Sequence, residues 1–155
     1  MASYPDLSPC SYMWPEGWKL LAVGWLESGD PVPKLGSDTV RGPLVEKLRR
    51  FLVRDQPELP VFAGFHVCSI GPCSTRDDFE VSRCGSGELY VPHLTKAKTL
   101  YCAPRLVIHY ITDHDYGPPA EFIEAVSRFE PEDVPVLKPD MERYRRRDTD
   151  RETKA

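Results

Sequence analysis

TLYCAPRLVIHYITDHDYGPPAEFIEAVSRF, residues 99–129, is the stretch from which the architecture is read. Thr99 to Cys102 reads as a short strand, and Ala103-Pro104 places a proline where a helix starts, so residues 105–114 (RLVIHYITDH) are expected to be helical. Gly117-Pro118-Pro119 stops that helix, and AEFIEAVSRF begins a second, which predicts a C-terminal helical hairpin.

Upstream, Leu44, Val45, Leu48, Phe51 and Leu52 recur at i, i+1, i+4, i+7 and i+8, the spacing of one apolar helix face. Pro43 fits the first turn of that helix and Pro57 lies beyond its end, which places it over about residues 43–54. Val61 to Val67, Phe79 to Val81 and Glu88 to Val91 read as short strands between Gly- and Ser-rich turns. Trp18 to Leu26 (WKLLAVGWL) is a nearly continuous apolar run that fits a buried strand or a short helix, with its Val and Trp content favouring the strand. The expected fold is α+β, a small, mostly antiparallel sheet packed by one amphipathic helix and the C-terminal helical hairpin. Three parts are expected: a Pro/aromatic arm over residues 1–17, one globular domain over 18–137, and a charged, disordered tail over 138–155.

Composition narrows the function classes. The 155 residues are 41% hydrophobic and 28% charged, enough for one packed core. There is no run of roughly 18 apolar residues and no signal-peptide pattern, so the expectation is a cytoplasmic protein without a membrane segment. The net charge of −4 has the wrong sign for a surface that grips phosphates. Only Arg145, Arg146 and Arg147 offer nucleic acid a basic patch, and Asp140, Glu142, Asp148, Asp150 and Glu152 crowd it, so a solvated tail is the plainer reading. Five cysteines without a secretory context point to thiols or metal ligation rather than a disulfide framework.

The chemistry concentrates in GFHVCSIGPC. His66 and Cys68 are two residues apart on an expected strand and so share a face, and Cys73 follows across Ile70-Gly71-Pro72. Soft sulfur and imidazole ligands suit zinc, with Cys68 as a small buried hydrophobe the competing reading. His109 and His114 supply further candidates. On an ideal helix five residues advance roughly 500°, so the two rings diverge by about 140° and His114, with Leu106, Val107, Tyr110 and Ile111, is the inward one. Zinc is therefore expected on His66, Cys68, Cys73 and one of His114 and His109. Glu88, after Gly85 and Gly87, is a candidate carboxylate to orient a histidine, against the simpler reading of a solvated strand edge. No Walker loop, GxGxxG after a strand, HExxH or GxSxG is present, and Cys84 has no adjacent base.

The order GWLESGDPVP, GFHVC, GELYV and YCAPRLVIHYITDHDYGPPAEFIEAV resembles a family of small uncharacterised bacterial proteins, a domain of unknown function. The resemblance covers about residues 20–127 and singles out His66, Cys68, Glu88, Tyr101, His109, Tyr110, His114 and Tyr116. The family pattern puts its second cysteine three residues after the first, whereas here position 71 is glycine and the next cysteine is Cys73. The resemblance implies residues of interest, with Tyr110 and Tyr116 joining Glu88 as supporting or recognition residues, and no reaction. Two function classes follow: a non-enzymatic binding or interaction module tied by one structural zinc, and a small zinc- or Cys/His-dependent hydrolase-like enzyme built on the same residues. The first implies a protein partner, a second copy in a homodimer included, ahead of a small molecule.

Overall fold

The computed structural model describes residues 3–10, 15–52, 66–73, 84–85, 87–143 and 145–146. In chain order these contain β1 (Lys19–Ala22), α1 (Asp38–Leu52), β2 (His66–Val67), β3 (Cys84–Gly85), β4 (Glu88–Pro92), β5 (Thr99–Pro104), α2 (Val107–Asp113) and α3 (Ala120–Arg128). A 3-10 turn, Pro131–Asp133, follows.

β5 is central because all six of its residues are buried, as a strand with neighbours on both edges and layers on both faces must be. Its partners are β4, antiparallel with Tyr90 opposite Cys102, and β1, parallel with Ala22 opposite Cys102. β2 and β3 form a separate antiparallel ribbon, His66 opposite Gly85. The α+β class therefore holds, with antiparallel ladders at β4·β5 and β2·β3 and a parallel one at β1·β5. The strand expected over Phe79 to Val81, and all but the last two residues of the one over Val61 to Val67, lie outside the described residues.

The segment before β1 adds a further layer of pairing. Tyr4 bridges Trp25 and Pro9 bridges Leu21, both antiparallel, and the Tyr4 ring meets the Trp25 indole edge-on at 5.7 Å. Asp6 fixes this segment, accepting the Gly24 amide and the Tyr116 hydroxyl, each at 2.9 Å. At the other end Lys138 accepts a backbone bond from Glu16, and Pro139 bridges Pro15.

Helices cover the Tyr101 side of the sheet, where the Tyr101 and Phe122 rings meet edge-on at 5.6 Å. α1 packs on β4 and on both α2 and α3, so it is the partner the two C-terminal helices share. It begins more than a turn before Pro43, with Asp38 in its first turn and Leu44, Val45, Leu48 and Phe51 facing inward. A proline that deep normally clashes with the preceding residue's Cβ, and here that residue is Gly42, which has none. Leu48, Val107, Ile108, Ile111 and Phe122 are fully buried residues that these helices contribute to the hydrophobic core.

Candidate metal centre

α2 is short, and its end decides the site. Val107, Ile108, Tyr110 and Ile111 are buried, which anchors the helix and carries His109 inward with them, 1% exposed. His114 does not continue the helix: it is the C-cap, with φ −113° and ψ 5°, and its amide still bonds the Tyr110 carbonyl. That change of backbone swings its ring off the helical cylinder and brings it to 5.1 Å from the His109 ring, centroid to centroid. The expectation that the two imidazoles diverge and that only His114 turns inward is thus corrected. It assumed ideal helix through residue 114, and helical geometry stops at Asp113.

Cys68 and Cys73 approach from the segment that follows β2. Cys68 Sγ is 3.2 Å from His114 Nε2, and Cys73 Sγ is 3.4 Å from His109 Nε2 and 3.7 Å from His114 Nε2. All four ligand atoms lie within 4.8 Å of one another. A zinc ion held at usual Zn–S and Zn–N lengths in a tetrahedron would separate a sulfur from a nitrogen by about 3.6 Å, close to these spacings. Ser28 N donates to Ser69 Oγ at 3.1 Å, and Ile70 packs against the core, so the cysteine segment is held at points other than its sulfurs.

The histidines are set up to offer Nε2. His109 Nδ1 faces the Asp113 carboxylate at 3.8 Å, and the Asp113 side chain is only 2% exposed. This is longer than a direct hydrogen bond, yet a buried carboxylate one helical turn away favours the proton on Nδ1 and leaves the Nε2 lone pair for a ligand. His114 is held below the ordinary imidazole range, first by burial and then by the neighbouring His109, which keeps it neutral as a metal ligand must be. Tyr110 lies beside both rings, at 5.9 Å from His109 and 6.3 Å from His114, and its hydroxyl donates to the Leu26 carbonyl at 3.3 Å.

A family profile described as a domain of unknown function (DUF7919) matches residues 2–127. The chain belongs to the DUF7919 family. The match bears out the resemblance to a domain of unknown function and begins near the N-terminus rather than at about residue 20. It spans all four clustered residues of this DUF7919 domain and leaves out the arginines of the tail. No curated protein and no solved structure matches the chain.

Other expected site residues of the DUF7919 domain sit elsewhere or outside the described atoms. His66 is on β2, and its side chain lies outside the described residues, as does that of Cys84. Glu88 opens β4 opposite Pro104, on the same face as Tyr90 and Cys102, and burial raises its carboxyl to about 7. Tyr116 is fully buried with its hydroxyl on Asp6. Arg146 pairs with Glu142 at 3.6 Å on the surface, and Arg147 lies outside the described residues. Sequence reasoning overlooked Asp113 as the partner of His109, although the i, i+4 spacing of the two on a helix was the available signal. It also overlooked His93, which stacks on Tyr101 at 5.1 Å and accepts the Thr95 and Lys96 amides at Nδ1. Those bonds turn the residues after β4, and Tyr101 donates to Glu121 at 2.9 Å, so this group ties a turn to α3.

Proposed function

We propose that this domain is a non-enzymatic binding or interaction module whose segment after β2 is held on the core by one structural zinc ion. Cys68, Cys73, His109 and His114 supply the four ligands. The observation that carries the reading is the set of sulfur–nitrogen spacings of 3.2, 3.4 and 3.7 Å, which suit a closed tetrahedral shell. Two thiolates offset the charge of the divalent ion, so the filled site is neutral and suits its half-buried position. Zinc would supply cross-linking there: it joins a short segment with little regular structure to the end of α2, in the way small metallo-domains replace missing core. Cys10, Cys68, Cys73 and Cys102 are all thiols, which suits a reducing, cytoplasmic setting. Among the described residues no helix is long and apolar enough to cross a membrane. The partner we favour is another protein.

The test is elemental analysis of the full chain produced without a chelating tag, with thiol titration before and after denaturation. Near-stoichiometric zinc, with two thiols that become titratable on chelation in addition to the buried Cys10 and Cys102 released by unfolding, supports the reading. Metal-free protein after incubation with zinc would refute it. An enzyme using the same residues would need one coordination position open to water, and cobalt substitution separates the two. A closed S2N2 site gives a tetrahedral cobalt spectrum unchanged by small anions, and an open one changes as they bind.

A further inference from the structure

The four ligands stand on unequal footing. His109 and His114 come from the anchored end of α2, whereas Cys68 and Cys73 come from a segment whose Val67, Ser69, Gly71 and Pro72 are exposed, Val67 at 52%. Cys68 and Cys73 are partly exposed as residues, while Cys10 and Cys102 are buried, and burial pushes the Cys102 thiol up. The Cys68 and Cys73 sulfurs lie within 4.8 Å of each other, and a Cβ added at Gly71 between them would meet nothing within 4 Å. A disulfide requires the sulfurs to close to about 2.05 Å, a small movement for a segment with that much room.

Resting on the zinc reading above, we propose that the site is a peroxide-sensitive clasp, in which hydrogen peroxide converts Cys68 and Cys73 to a disulfide and the metal is released. One cysteine thiolate attacks a peroxide oxygen: an S–O bond forms, the O–O bond breaks and hydroxide leaves. The second thiolate then attacks that sulfenic sulfur, forming the S–S bond and expelling a second hydroxide. Two thiolates lose two electrons, the peroxide gains them, and two protons from solvent convert the hydroxides to water. The disulfide sulfurs no longer carry thiolate charge, so zinc retains only His109 and His114 and dissociates. The segment after β2 is then released from the end of α2, and a dithiol reductant with fresh zinc restores it.

Zinc-loaded full chain is treated with graded hydrogen peroxide, with released zinc followed by a chromogenic chelator and cysteine states mapped by peptide mass spectrometry. The expected result is one zinc released per Cys68–Cys73 disulfide, with Cys10 and Cys102 still reduced and metal binding recovered after reduction. Met141, 55% exposed, reports as its sulfoxide that oxidant reached the protein. Zinc retained while Met141 oxidises overturns the clasp and leaves the zinc reading standing. So does zinc release with both cysteines as separate sulfinic acids, or with a disulfide to Cys84. Absence of zinc before any oxidant is added overturns both.

Discussion

His109 has its two ring nitrogens in different company, Nε2 beside Cys73 sulfur and Nδ1 toward the Asp113 carboxylate, so Asp113 would act on the proposed metal through the ring. Asp113→Asn keeps the shape and removes the charge; it is expected to weaken zinc binding by about 10–100-fold without abolishing it, measured by chelator competition. Cys68→Ser and His109→Ala are expected to lose the metal outright. The same affinity should fall as the pH is lowered, because protons compete for both thiolates and both imidazoles. Glu88 provides a separate pH signature. Its folded-state value of about 7 lies above the ordinary 4.5, so the folded protein holds a proton the unfolded chain releases. That contribution is complete below about pH 4.5, is lost as the pH rises toward about 7, and is flat above. Allowing for partial solvent access, the loss is about 2 kcal/mol. Denaturant unfolding of the natural protein and Glu88→Gln, compared between pH 5 and 8, should show this decline in the natural protein relative to the variant.

At the scale of elements, the placement of α2 is set by a close approach from the chain that follows β1. Gly24 has φ +70°, and a Cβ there would lie 2.8 Å from Val107 Cγ2 at the start of α2. Gly24→Ala is therefore expected to destabilise the fold by about 2–4 kcal/mol, from left-handed backbone strain plus overpacking, and to weaken metal binding as α2 shifts. Thermal unfolding with and without zinc checks both. The elements most legible in the sequence were the inward face of α1, marked by its helical periodicity, and β4, β5 and α3, marked by apolar runs between Gly and Pro breaks. The parallel pairing of β1 with β5 was not legible, because Lys19 and Thr99 meet through long-range topology that no local pattern encodes. The site was partly legible. Cys68, Cys73 and the two histidines stood out by residue type, but the joint use of His109 and His114 depends on where one helix stops. A single residue at that boundary turns a side chain by about 100°, which reversed the relation between the two rings.

For the whole molecule, the proposed zinc would add a cross-link between the core and a segment otherwise held by the Ser28–Ser69 bond and the packing of Ile70. Leu48, Tyr101, Ile108 and Phe122, on α1, β5, α2 and α3, form a fully buried core. Chelation is expected to leave this core folded and to raise amide hydrogen exchange selectively in residues 66–73 and at the end of α2, while β4 and β5 remain protected. A global loss of protection on chelation would instead make zinc a folding requirement for the entire domain. X-ray absorption at the zinc edge of the full chain reads the proposed closed shell of two sulfurs and two imidazole nitrogens without any substitution. One zinc per chain is expected, with two sulfurs at about 2.3 Å, two nitrogens at about 2.0–2.1 Å and histidine ring scattering beyond them. A shell with an oxygen in place of one of these ligands, or protein that takes up no zinc, would contradict it.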